Sequence, residues 1–161
     1  MNLSSYGAPR GTRMTRRVLR GFNAQAFAEA RRHRGISVSD LARLADVSQA
    51  TVFNWEGSKG TPQIDLLARV MRILETPIEQ VVTIAPEDRY PGDWRVIKGL
   101  TQPELAAAAK IATTTLRGIE RADAALTDAN AAALANLLGI TVDEYRSAYQ
   151  RARQRPAGTS V

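Results

Sequence analysis

The amino-acid sequence predicts an all-α protein built from two tandem copies of one small five-helix domain. Three observations lead there. Slid along itself at an offset of 64, the chain lays residues 35–81 over residues 99–145 without a gap. Helix-capping residues recur at matching places in both stretches, and the turns between them are too short to hold strands. The length of 161 residues with 44% apolar content suits two small domains. Gly35/Gly99, Leu41/Leu105, Ala42/Ala106, Ala45/Ala109, Thr51/Thr115, Glu56/Glu120, Ala68/Ala132 and Leu74/Leu138 are identical in the overlay. Apolar character also agrees at Val47/Ile111, Val52/Leu116, Trp55/Ile119, Val70/Leu134 and Ile73/Leu137.

The first copy, residues 23–84, opens with Asn23 as the cap of a helix running to about Arg34, with Phe22 placed to staple against Phe27 and Gly35 ending it. Ser37 with Asp40 starts a second short helix over Leu41, Leu44 and Ala45. Ser48 caps a third, which Gly57 stops. Thr61 followed by Pro62 reads as a cap with proline at the first helical position, opening a helix that carries Leu66, Leu67, Val70, Ile73 and Leu74 on one face. Thr76-Pro77 repeats the device for a fifth helix. The connection 85–92 holds two prolines and is restricted in conformation. In the second copy, residues 93–148, Thr101 with Glu104, Thr127, and Thr141 with Glu144 supply the caps. Its first helix is truncated to about residues 93–98, and its last runs unbroken from Val142 toward Pro156.

Residues 38–56 have the layout of a helix-turn-helix: two short helices crossing steeply, with Ala42 and Ala45 small where they touch and Val47, Val52 and Trp55 plugging the second helix onto the core. Gln49, Ala50, Thr51 and Asn54 are left on the outward face. Gly35-Ile36-Ser37, Asp40-Leu41-Ala42, Ala45, Val47-Ser48, Thr51-Val52 and Trp55-Glu56 together resemble the lambda-repressor/Cro type of helix-turn-helix, the XRE family, over roughly residues 23–84. Residues 93–145 fit the same pattern less closely. The resemblance implies that the second motif helix lies in the major groove of double-stranded DNA. Gln49, Ala50 and Asn54 would then read bases, with Ser48 and Thr51 near the backbone. Many members place Gln at the start of the first motif helix to hold a phosphate; Val38 stands there in the first copy and Gln102 in the second. In the first copy that anchor is either missing or supplied by Ser37, Arg43 or Lys59. In the second copy Thr113, Thr114 and Arg117, followed by Gly118, occupy the reader positions. DNA contact and dimerisation or internal packing through residues 106–109 both stay open for it.

The chain has 22 Lys and Arg against 16 Asp and Glu, a formal charge of +6. Residues 1–22 carry five arginines and no acid, the tail 149–161 carries three arginines and no acid, and both copies are near neutral. Arg13, Arg16, Arg17 and Arg20 suit a basic arm against phosphates or a minor groove, although Met14 could itself begin the chain and leave residues 1–13 outside it. Arg31, Arg32, His33 and Arg34 read as a solvated helix end. Arg151, Arg153 and Arg155 read likewise.

There is no cysteine and a single histidine, so thiolate zinc sites and disulfides are excluded, no metal or other cofactor is expected, and no nucleophile-base constellation points to an enzyme. No run of apolar residues is long enough for a membrane span. The expected function is a sequence-specific, double-stranded DNA-binding transcriptional regulator, a repressor acting by operator occupancy. It would be cytoplasmic, encoded by a bacterium or phage, with no small-molecule effector, and homodimerisation is left open. The alternative is a phage control or antitoxin-type protein whose second domain binds a protein partner or dimerises.

Overall fold

The computed structural model describes residues 18–161. Among them are nine α-helices and no strand beyond one isolated bridge between Phe22 and Val82. The first unit contains α1 (Ala24–His33), α2 (Val38–Ala45), α3 (Gln49–Glu56) and α4 (Ile64–Ile73), and the second contains α5 (Pro91–Ile97), α6 (Gln102–Ala109), α7 (Thr113–Arg121), α8 (Asp128–Leu138) and α9 (Val142–Arg153).

Most helix starts lie where a short polar side chain can accept from an otherwise orphaned N–H. Asn23 accepts from Ala26, Ser37 from Asp40, Ser48 from Thr51, Thr127 from Asn130, and Thr101 and Thr141 close capping boxes with Glu104 and Glu144. The repeat extends to backbone conformation. Positive φ occurs at Gly35/Gly99, Asp46/Lys110, Ser58/Ala122 and Glu75/Gly139, each pair 64 residues apart. Left-handed geometry is costly for a residue with a Cβ, so its recurrence at the same four joints marks the same chain reversals.

Two expected starts differ. Thr61 does not cap α4: its hydroxyl accepts from the Leu19 N–H at 2.8 Å, and α4 begins at Ile64 with Gln63 as a cap that makes no side-chain bond. The Thr76-Pro77 device yields only a 3-10 turn, Ile78–Gln80, in place of a fifth helix. Here the chain is claimed by pairing with the N-terminal strap. Asn23 N–H donates to Val81 O at 2.7 Å and Thr83 N–H to Gly21 O at 2.9 Å, around the bridge between Phe22 and Val82 that takes the chain where a helix would continue. In the second unit nothing competes, and α9 runs twelve residues.

The first core gathers Phe27, Leu41, Ala42, Ala45, Val52, Trp55, Leu67, Val70 and Leu74, with the Phe22 ring packed at a tilt against Phe27 at a centroid distance of 5.7 Å. The second gathers Trp94, Leu105, Leu116, Ile119, Leu134, Leu138 and Tyr145. The units are joined by more than the connecting peptide. Residues 86–88 form a 3-10 turn, and Pro91 and Gly92 belong to α5, whose Val96 and Ile97 are buried in the first core with Ile78, Val81 and Val82. A Cβ on Gly99 would lie 3.2 Å from Ile78 Cδ1 and 3.3 Å from Ala68 Cβ, so glycine permits this approach as well as the positive φ. Arg89 donates to Ile84 O at 2.9 Å while its guanidinium lies over the Trp94 ring.

Candidate nucleic-acid interface

The outward face of α3 is set by how its inward face is held. Val52 is fully buried and Trp55 nearly so, and residues between them in the helical cycle must face away. Gln49, Ala50, Phe53 and Asn54 are exposed. Ser48 fixes the first turn: its Oγ accepts from the Thr51 N–H at 3.1 Å and shares a hydrogen bond of 2.8 Å with the Thr51 hydroxyl. Gln49 Nε2 rests 3.3 Å from Ser39 Oγ on the first turn of α2, a long bond that a better acceptor would displace. Asn54, Thr51 and Lys59 border one groove of about 410 Å³ beside α3, closed on its other side by Val18, Phe22 and Thr61. Ser37, the cap of α2, and Arg43 within it are exposed, and Arg43 pairs with Asp40.

At the far end α3 is clamped by a largely but not fully buried ion pair. Arg31 Nε and Nη2 donate to the two carboxylate oxygens of Glu56, and Nη1 donates to Ile36 O at 2.9 Å; each side chain is 11% exposed. Arg31 therefore departs from the solvated helix end expected of it, while Arg32, His33 and Arg34 are exposed. The second unit repeats the clamp at the same offset: Arg95 Nε donates to Glu120 Oε1 at 2.6 Å, Nη2 to Oε2 at 3.2 Å, and Nη1 to Leu100 O at 2.8 Å. Glu56/Glu120 was visible in the sequence overlay. Arg31/Arg95 lies just ahead of the aligned stretch, and extending the overlay by four residues would have paired both ends of the clamp.

The second unit presents a poorer version of the surface. Ala112 replaces Ser48, so α7 has no side-chain cap. Thr114 and Arg117 are exposed and Thr113 half-buried. Gly118, in the place of Asn54, is packed under the following loop: a Cβ there would stand 2.8 Å from that of Ala124. Gln102 Nε2 donates to Glu120 Oε2 at 2.8 Å, which adds a third member to the buried clamp.

The basic ends are also partly committed. Arg13, Arg16 and Arg17 lie outside the described residues. Arg20 forms an ion pair with Asp93, donates to Asp88 O and stacks over Tyr90 at 4.3 Å, fastening the N-terminal strap to the second unit. Burial raises the Asp93 carboxyl above the ordinary aspartate value, outweighing the Tyr90 N–H and Arg20, which both favour the carboxylate. The tail is not a free basic segment. It is helical to Arg153, Arg151 Nε donates to Glu87 O at 2.6 Å, and Arg155 Nη1 donates to Arg121 O at 2.7 Å.

A family model described as helix-turn-helix, HTH_3, matches the chain twice, over residues 27–81 and 93–145. The chain belongs to the XRE-type helix-turn-helix family. Both matches span a motif pair, α2–α3 and α6–α7, so this XRE-type protein carries two tandem helix-turn-helix regions in an all-α fold. The family is one of DNA-binding domains and not of enzymes, and membership makes the protein a DNA-binding regulator of the XRE type. No curated protein matches the chain. Among the described residues no helix is long and apolar enough to cross a membrane, and no group of three or more His, Cys, Asp and Glu side chains could hold a metal ion.

Proposed function

We propose that the protein is a sequence-specific repressor that acts by occupying an operator, with α3 in the major groove. The observation that carries this reading is the exposed, almost uncharged cluster of Gln49, Ala50 and Asn54 on a helix held rigid at both ends, by the Ser48 cap and by the Arg31–Glu56 clamp. Gln and Asn amides match the donor and acceptor pair of adenine, Ala meets a thymine methyl, and each good bidentate contact discriminates by about 1–3 kcal/mol. Ser37, Arg43, Ser48, Thr51 and Lys59 supply backbone contacts around them. In the second unit Thr113, Thr114 and Arg117 serve as readers and Gln102 as a phosphate donor after release from Glu120.

Domain 2 has a second reading, favoured by its missing cap, by Gly118 packed against Ala124 and by the outward Leu137 and Val142, 40% and 38% exposed: it holds a second copy of the chain or a protein partner. Selection from random duplexes, followed by footprinting and measured stoichiometry, separates the two. Two reading domains per chain select a long bipartite site covered by one chain. A dimer selects a palindrome with half-sites about one helical turn apart. Absence of any sequence preference contradicts the repressor reading altogether.

A further inference from the structure

We infer that Phe53 reads the C5-methyl group of thymine, making the first domain selective for thymine at a position beyond those set by Gln49, Ala50 and Asn54; this rests on α3 lying in the major groove. Phe53 is 57% exposed, the most exposed aromatic ring among the described residues that the cores do not claim. It stands four residues after Gln49 and three after Ala50, so all three share one face of the helix. Helical side chains lean toward the N-terminus, which carries the phenyl ring back over the turn holding those two residues. The ring is therefore continuous with the reading surface. Glu56, the one acid of α3, is neutralised by Arg31 and tucked into the clamp, so nothing on this face repels a polyanion. A bare aromatic ring has no hydrogen bond to offer a base edge, and the one apolar feature in the major groove is the thymine methyl. At the equivalent place the second domain carries the exposed Arg117, whose chemistry suits guanine, so the two outward faces are built for different bases.

Uracil in place of thymine removes the methyl and leaves every hydrogen-bonding group unchanged. The test measures binding of the full chain to duplexes selected by it from a random pool, with each thymine replaced in turn by uracil, for the wild type, Phe53→Ala and Phe53→Leu. Loss of one buried methyl is worth about fourfold in affinity. The wild type should lose about fourfold at the thymine met by Ala50 and at one further thymine; Phe53→Ala should become indifferent at that further thymine alone while keeping its sensitivity at the first and its preferences elsewhere, and Phe53→Leu should retain part of the sensitivity there. Uracil tolerated everywhere by the wild type, or equal sensitivity in Phe53→Ala, overturns the inference and leaves the ring to a protein contact. A pool that yields no motif overturns the major-groove reading itself, which is a different failure.

Discussion

Removing Glu56 should be among the most damaging single changes to the first domain. Glu56→Ala strips Arg31 of two of its three side-chain hydrogen bonds, leaving Ile36 O as the remaining partner of a guanidinium whose side chain is 11% exposed. Hydrogen bonds to charged groups contribute about 1.5–3 kcal/mol each, and breaking a buried pair from one side costs about 3–5 kcal/mol because a charge is left unmet. For a chain of this length that is a fall in melting temperature of roughly 6–20 °C if the first domain governs the transition. A matched control is Glu75→Ala, whose partner Arg34 lies 3.2 Å away across an exposed pair, 45% and 72% accessible. Such a pair is worth at most about 1 kcal/mol. Urea denaturation followed by circular dichroism and by tryptophan fluorescence, with Trp55 in one core and Trp94 in the other, measures both variants. Replacing the pair together, Arg31→Met with Glu56→Leu, should recover most of the loss because no charge is stranded. If Glu56→Ala and Glu75→Ala prove equally mild, the clamp is not what holds α3.

Gly118→Ala should destabilise by about 1–3 kcal/mol through overpacking against Ala124, although in an open helix the same change would stabilise by about 0.5–1 kcal/mol; the sign found by denaturation decides. Tyr145 is fully buried with no hydrogen-bond partner for its hydroxyl among the described residues, and burial pushes its phenol up. Tyr145→Phe should therefore be neutral or stabilising by up to about 1–2 kcal/mol, and a loss of that size would reveal a bond to the hydroxyl. Because the Asp93 carboxyl is raised, the folded chain holds more protons there than the unfolded chain between the ordinary aspartate value and the raised one. Its contribution to stability then falls as pH climbs through that window, and the difference between wild type and Asp93→Asn should carry that slope; a slope of the opposite sign contradicts it.

Much of the fold was legible because local chemistry and tertiary need agree at the caps. Asn23, Ser37, Ser48, Thr101, Thr127 and Thr141 each begin a helix as their side chains dictate. Thr61 and Thr76-Pro77 carry the same local signal and fail, since the strap through Leu19, Gly21 and Asn23 takes the hydroxyl or the backbone that a helix would need. No sequence window holds both partners of those contacts. The charge pattern misled for a related reason. An arginine on an arm or a helix end looks free until the carbonyl or carboxylate that meets it is known, and Arg20, Arg31, Arg151 and Arg155 all find one from a distant element. The outward place of Phe53 is masked in the sequence because an apolar residue in a short helix normally belongs to its core side. Counting from Val52 and Trp55, both buried, places it outward.

If α3 is the surface that meets DNA, duplex binding should perturb it first. Titrating a selected duplex into the isotope-labelled chain and following backbone amide shifts locates that surface residue by residue. The largest changes should fall on residues 48–54, with smaller ones at the starts of α2 and at Lys59, and should vanish when Gln49→Ala and Asn54→Ala are combined and the duplex is held at moderate salt. Shifts confined to the second domain, or spread evenly over the arginines of both ends with α3 silent, would contradict it.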